Sequence, residues 1–286
     1  MSLTARPARP GPSWWDTLPL TEGPPDAPVA LGGGATPDAL IGAYRAGVFP
    51  WPTEDETDDD QPDDRTAGQL RQLALALRAV GRGLGRRPRP GYLPWWCPDP
   101  RAVIPVGAVR TTRSLRGRIR SCGWTTTMDQ AFDEVVSRCR RAAPEIWITD
   151  ELRAGYTRLH ALGWAHSLEV WAGDQLAGGA FGILVGGVFV GESMFHSETD
   201  ASKVALVDLD ARFAAAGGRL LDVQIASDHL GRLGAVEIPR DDYLATLRAV
   251  RDDDVRLVTD RLPVARLLHP PPADPVPPVA SPPPAV

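Results

Sequence analysis

Two short stretches place polar side chains where a strand pattern expects apolar ones. The first is Asp222-Val223-Gln224, inside the strand-like run 220–225. Successive strand side chains alternate, so residues i and i+2 share a face about 6–7 Å apart. Asp222 and Gln224 therefore face one way, and Leu221, Val223 and Ile225 the other. A polar pair in an otherwise apolar strand needs partners or a task. It is either a structural hydrogen-bonded pair or part of a site. The second stretch, Gly191-Glu192-Ser193-Met194-Phe195, reads as a strand end running into a loop. Its Glu192 carboxylate either pairs with a nearby Arg or receives a cationic ligand. A partly desolvated carboxylate suits the side chain of Arg or Lys.

These stretches need a frame. Strands are predicted at 165–171, 175–185 and 188–191, with turns at Ala172-Gly173-Asp174 and Gly186-Gly187. That succession is an antiparallel meander. A helix capped by Asp200 follows, then the 220–225 strand, then helices opened by Ser227 and Pro239. Upstream lie a short strand at 103–105, a helix over 111–120, a strand at 124–127 and a helix capped by Asp129. Another helix is capped by Thr149, with Asp150 and Glu151 set favourably against its dipole. The fold class is α+β around a mixed sheet, and the order matches a GNAT-like (acyl-CoA N-acyltransferase-like) arrangement.

Before residue 99 the pattern changes. Thr36-Pro37 opens a helix that carries Leu40, Ile41 and Tyr44 and stops at Gly47. Aromatic, proline-framed segments follow at 49–52 and 94–98, the latter expected as a rigid loop. Between them, 53–90 holds an acidic block, a short helix over 68–80 and an Arg/Gly run. The expected division is a flexible N-terminal tail over 1–28 and a small N-terminal domain over 29–98 carrying the 53–90 insertion. A GNAT-like domain over 99–262 and a Pro-rich disordered tail over 263–286 complete it. Arg78-Ala79-Val80-Gly81-Arg82-Gly83 fits a pyrophosphate-binding pattern. That pattern works only between a strand and a helix N-terminus, so here it counts as a chance match.

Composition narrows the class. An apolar content of 43% suffices for a core. No apolar run approaches the ~18–20 residues that span a bilayer, and 1–12 has no signal-like apolar stretch. Cys97, Cys122 and Cys139 show no CxxC spacing, which fits reduced thiols in a cytoplasmic protein better than a disulfide frame or a metal site. A net charge of -5 argues against a wholly basic nucleic-acid binder but leaves room for a local basic face. Arg113, Arg116 and Arg120 share one side of the 111–120 helix, either as solvated surface or as a phosphate-binding track. Lys203, the sole lysine, lies near a helix start where the dipole disfavours a cation. Its expected partner is an anion: Asp222, Glu192 or a phosphate. His166, on a strand, reads as structural.

Eight blocks in order carry a resemblance. They are Tyr44-Arg45-Ala46-Gly47-Val48-Phe49-Pro50-Trp51, Trp95-Trp96-Cys97-Pro98-Asp99-Pro100-Arg101, Trp147-Ile148-Thr149, His166-Ser167-Leu168-Glu169-Val170-Trp171, Gly191-Glu192-Ser193-Met194-Phe195, Asp200-Ala201-Ser202-Lys203, Asp222-Val223-Gln224 and Leu233-Gly234-Ala235. Over roughly 29–50 and 91–250 the chain resembles the leucyl/phenylalanyl-tRNA–protein transferases. The resemblance implies a small N-terminal domain, a GNAT-like C-terminal domain, and no metal or organic cofactor. It implies transfer of Leu or Phe, with Met as a further donor, from aminoacyl-tRNA to the α-amine of proteins beginning with Arg or Lys. The product is an N-end rule degradation signal. A cytoplasmic monomer with no membrane partner is expected. Four features depart from the family's pattern: Val223 stands where Cys is usual, Gly32-Gly33-Gly34 lacks a following Asp, the 53–90 insertion is long, and Ala180 replaces a pocket Met.

On that resemblance the reaction is aminolysis of an activated ester. An α-amine with a pKa near ~8 is roughly one-tenth neutral at pH 7, so orientation matters more than base strength. Gln224 cannot titrate; its carbonyl accepts a hydrogen bond from the amine, and Asp222 holds the Gln amide or the amine itself. Glu192 receives the cationic acceptor. Met194, Phe189, Leu206, Phe213 and Leu221 are either core or walls of the aminoacyl pocket. Trp147 is either packing or a platform for the terminal adenosine. Arg113, Arg116 and Arg120 become the tRNA phosphate track. The competing readings are an acyl-CoA-dependent N-acyltransferase on the same fold and a non-catalytic binder of basic N-termini.

Overall fold

The computed structural model describes residues 2–51, 93–142 and 147–268. The helix expected over 68–80, the Arg78–Gly83 match and the whole 53–90 insertion lie outside them, as does the chain beyond 268.

Helix α1 (Pro37–Ala46) starts as its sequence dictates. The Thr36 hydroxyl accepts from the Ala39 N–H, Pro37 occupies the first turn, and Gly47 closes the helix at φ 95°. Beside it stands a small sheet of β1 (Pro28–Leu31), β2 (Phe49–Pro50) and β3 (Pro94–Trp96), ordered β1-β3-β2. The Trp95-Trp96 segment, expected as a loop, is thus a central strand. Its one proline, Pro94, opens the strand, and both tryptophans are buried.

Residues 2–28, expected as a flexible tail, touch the body at several points while most of their side chains stay exposed. Trp15 is buried with its ring 4.8 Å from that of Trp95. Leu3 bridges Val258, and the Thr4 N–H donates to the Leu257 carbonyl at 2.8 Å. The Arg240 guanidinium donates to the carbonyls of Thr21, Gly23, Pro24 and Cys97, so one cation gathers the segment against the body. At the other end, a 3-10 turn (Val264–Leu268) buries Val264, and the order extends past the expected boundary at 263.

The large sheet holds β4 (Arg101–Pro105), β5 (Thr125–Met128), β6 (Ala165–Ala172), β7 (Gln175–Val185), β8 (Val188–His196), β9 (Leu220–Gln224), β10 (Val236–Ile238) and β11 (Leu262–Pro263). Its order is β10-β4-β9-β8-β7-β6-β5-β11. The β8–β9 pair is parallel and its other pairs are antiparallel, so the sheet is mixed. With α2 (Arg113–Ser121), α3 (Phe132–Ala142), α4 (Asp150–Ala161), α5 (Ala201–Ala215), α6 (Asp228–Leu233) and α7 (Arg240–Val250), the described residues form an α+β fold. One core gathers buried residues of α1, α3, α4 and α7 with Trp95 and Trp96. A second gathers those of α2 and α5. No helix among the described residues is long and apolar enough to cross a membrane.

Two caps differ from expectation. Asp129 does not cap α3, which begins at Phe132. It sits at φ 61° and accepts from the Ser167 N–H at 3.0 Å. Asp200 precedes α5 at φ 72° without a side-chain cap, and its carboxylate binds Lys203 Nζ at 2.7 Å. Lys203 therefore finds its anion locally, in none of the three partners expected.

Candidate active site

Parallel pairing between β8 and β9 covers only Val188 to Val190 against Leu220 to Asp222. Beyond it β9 ends at Gln224, whereas β8 continues to His196, well past its expected stop at 191. Opposite β7, Gly191 pairs with Gly182 and Ser193 with Phe181, so Glu192 is the extra residue of a β-bulge. Glu192 reaches Tyr156 and Ser193 reaches Cys139, both in the first core, while Met194 packs against the second. Within three residues the strand thus presents a carboxylate to one face and a thioether to the other.

Glu192 and Gln224 meet across the gap between the separating strands, with Gln224 Nε2 donating to Glu192 Oε1 at 3.0 Å. The Tyr156 hydroxyl donates to Glu192 Oε2 at 2.8 Å, and the Tyr44 hydroxyl lies 3.2 Å from that of Tyr156. Tyr156 has one proton and spends it on Glu192, so Tyr44 is the donor in the second contact. Burial pushes the Glu192 carboxyl up to about 7; the hydroxyl and amide donors pull it down, and the Asp222 charge adds to the rise. Burial likewise lifts Tyr44 and Tyr156 well above the ordinary phenol value.

Asp222 lies on the same side of β9, fully buried, with different company. Arg101 donates to it twice, Nε to Oδ1 at 2.8 Å and Nη2 to Oδ2 at 2.6 Å. The Tyr243 hydroxyl donates to Oδ2 at 2.8 Å and the Gln224 backbone N–H to Oδ1 at 2.9 Å. These four donors occupy the four acceptor positions of a carboxylate. Arg101 is itself clamped between the rings of Phe49 and Tyr243, at 4.7 and 4.5 Å. Burial opposes the guanidinium charge, and Asp222 more than offsets that, raising the Arg101 pKa. Asp222 thus holds the Gln224 backbone; the expected bond to the Gln amide goes to Glu192 instead. Gln224 needs that hold. Its φ is 66°, and the Ile225 N–H donates to the Val223 carbonyl at 2.7 Å, closing a three-residue turn on a strained residue.

Arg101, Tyr243, Tyr44 and Tyr156 escaped the sequence reading as site residues. Tyr44 and Tyr156 stood out only as apolar stripes of their helices. The available signal was that a buried Tyr hydroxyl generally finds a partner.

The five expected pocket residues share the second core with Ala180. Phe189, Leu206, Phe213 and Leu221 are buried, with the Phe189 and Phe213 rings 6.3 Å apart, whereas Met194 keeps partial exposure. Trp147 is half-buried on the rim of the first core, where its carbonyl receives the Thr149 N–H at the entry to α4. Arg113, Arg116 and Arg120 are exposed on α2, while Leu115 and Ile119 turn into the second core. Asp129, His160 and His166 each bring one donor atom within 4.8 Å of the others. Three of their four ring nitrogens are engaged internally. His166 Nδ1 lies 2.8 Å from Asp129 and Nε2 3.1 Å from the Gly163 carbonyl, and His160 Nδ1 lies 2.8 Å from the Ala165 carbonyl. The group reads as a clasp between β6 and the loop before α3.

A family model for leucyl/phenylalanyl-tRNA protein transferase matches residues 103–248, which include Glu192, Asp222 and Gln224. A protein of Nitratidesulfovibrio vulgaris bearing that family's name is 38% identical over 246 residues, covering 85% of this chain and 90% of its own length. One from Proteus mirabilis is 39% identical over 223 residues, 78% of this chain and 82% of the relative. One from Chromohalobacter salexigens is 41% identical over 223 residues, 77% and 73%. With a matched model across half its length and such identity over most of it, the chain belongs to the leucyl/phenylalanyl-tRNA–protein transferase family of aminoacyltransferases.

Proposed function

We propose that this protein moves Leu or Phe from aminoacyl-tRNA to the N-terminal α-amine of proteins beginning with Arg or Lys, creating an N-end rule degradation signal in the cytoplasm. The observation that carries this reading is the Glu192–Gln224 bridge across the β8–β9 gap. It supports the reading because a carboxylate that can receive a cationic acceptor stands beside an amide that can aim a nucleophile. The meander β6–β7–β8, followed by α5 and a parallel β9, supports a GNAT-like architecture for this region.

The parts divide as follows. Glu192 receives the cationic acceptor. Gln224 accepts a hydrogen bond from the amine through its carbonyl oxygen, the end left over once its NH2 group faces Glu192. Asp222 acts through the Gln224 backbone. On the other face Met194, bordering Ala180, forms the accessible end of the aminoacyl pocket, with Phe189, Leu206, Phe213 and Leu221 as the packed wall behind it. Arg113, Arg116 and Arg120 carry tRNA phosphates with salt-sensitive binding, and Trp147 stacks on the terminal adenosine. The protein works as a monomer without a metal or organic cofactor.

Incubation with charged Leu-tRNA and an Arg-initiated peptide, read by mass spectrometry, tests this directly. A Leu-extended peptide is expected. Extension from acetyl-CoA but not from Leu-tRNA would favour an acyl-CoA N-acyltransferase. Peptide binding without transfer from either donor would favour a recognition module.

A further inference from the structure

We propose that Glu192 is the proton acceptor for the α-ammonium of the incoming protein, and that Tyr156, backed by Tyr44, is the positioning residue that holds it in that role. This rests on the transferase reading above.

Three observations carry it. First, Glu192 has unfilled acceptor capacity. Gln224 occupies one position on Oε1 and Tyr156 one on Oε2, with the Tyr44 hydroxyl a third donor in reach, so one of four positions stays open, whereas the four of Asp222 are all taken. Second, the donors on Glu192 are neutral: hydroxyls and a carboxamide. A carboxylate held by neutral donors gives up its charge more readily than one clamped by a guanidinium. Third, the amide of Gln224 is oriented by Glu192, because only its NH2 end can face a carboxylate. Its oxygen is then free for a second N–H of the same ammonium. The two side chains together form a cradle for one RNH3+ group.

The step balances. The α-ammonium gives one proton to Glu192, and its nitrogen pair attacks the ester carbonyl carbon. The C–N bond forms, the bond from that carbon to the ribose oxygen breaks, and the ribose oxygen leaves with the electron pair. A second proton from nitrogen goes to that oxygen, and the amide keeps the third. Glu192 later returns its proton to water. With the carboxyl near about 7 and an α-amine near ~8, the first transfer is close to even.

The groups facing Glu192 are Tyr156 from α4, Tyr44 from α1, and Gln224 and Asp222 from β9. Asp222 in turn is covered by Arg101 of β4 and Tyr243 of α7. Burial holds the three phenols well above their usual range, so they keep their protons through the assay window.

Single-turnover transfer at saturating Arg-peptide, followed from about pH 5.5 to 9, reads the proposal. The wild-type rate is expected to rise with an acid limb near 7. Glu192→Gln removes that limb; its rate instead tracks the free amine, with a deficit of about tenfold or more at pH 7 that shrinks as pH rises. Tyr156→Phe deletes a donor to the charged form and moves the limb to higher pH. A Glu192→Gln deficit that stays constant with pH, or a Tyr156→Phe loss that leaves the limb in place, would overturn the proposal. A 13C NMR titration of the Glu192 carboxyl, assigned by its absence in Glu192→Gln, gives a readout without turnover. A midpoint near 7 is expected. One near the ordinary 4.5 sinks the inference even in an active enzyme. A midpoint near 7 with no transfer from Leu-tRNA would instead overturn the transferase reading.

Discussion

Glu192 and Asp222 stand on neighbouring strands, on the same side of the sheet, each touched by a tyrosine hydroxyl and by Gln224. They differ in one partner. Asp222 has a bidentate guanidinium, and Glu192 has none among its bonds. That partner decides what each can do. Asp222 is saturated and sealed behind Phe49 and Tyr243, so its influence passes through the backbone it fixes. Glu192 is half-buried, with donors that stabilise its charge only in part. Two like carboxyls are thereby assigned different work by their surroundings, one as a fixed strut and one as an exchangeable site.

The comparison breaks first if Arg101 is expendable. Arg101→Met leaves Asp222 buried without its cation and is expected to cost about 3–5 kcal/mol, seen by chemical unfolding. A loss below about 1 kcal/mol would mean that the strut is not a strut. Next comes a carboxyl that shares the neutral-donor environment without an outlet. Glu169 is fully buried, accepts from the Thr127 and Ser167 hydroxyls, and is lifted by burial to about 7. A raised pKa gives the folded state a contribution that is complete below about 4.5 and lost as pH climbs through about 7. Glu169→Gln should therefore gain stability over wild type between pH 5 and 8, by up to about 3 kcal/mol. Equal stability differences at both pH values would show that Glu169 does not share the environment of Glu192. Gln224→Ala should slow transfer by about 30- to 100-fold while tRNA binding and melting temperature hold, since it removes an aiming group. Loss of tRNA binding would make the Gln224 turn a structural element. Smallest is Tyr44→Phe. Tyr44 donates to Tyr156 and also helps to lower the Glu192 carboxyl directly, so its loss should move the acid limb of the pH profile in the same direction as Tyr156→Phe, by a smaller amount.

Much of the frame was legible where the signal is local. Thr36, Pro37 and Gly47 bound α1 as their chemistry requires, and Thr149 opens α4 with its side chain on the Leu152 N–H. The three-stranded meander follows from its glycine turns. Signals that failed were local residues with distant obligations. Asp129 has the composition of a helix cap but serves Ser167 and His166, across a separation no window spans. Trp95 and Trp96 sit among prolines yet form a strand, because β1 and β2 flank them. In the site, alternation in β9 correctly put Asp222 and Gln224 on one side. It could not reveal that Arg101, 121 positions away, would claim Asp222 and leave Glu192 to receive the Gln amide.

The bulge at Glu192 has a consequence for how such a strand can vary. Side chains in a strand alternate like a two-beat count, and one extra residue shifts the phase of everything after it. Up to Glu192 the count assigns residues to the tyrosine side and the α5 side in one parity; from Ser193 onward the parity is reversed. The two halves of β8 are therefore decoupled. Substitutions that reshape the pocket around Met194 need not disturb the cradle around Glu192. A single-residue deletion there would do what no substitution does: it would remove the bulge and restore plain alternation, keeping Met194 and Phe195 on the faces they hold while leaving the tyrosine side one residue short.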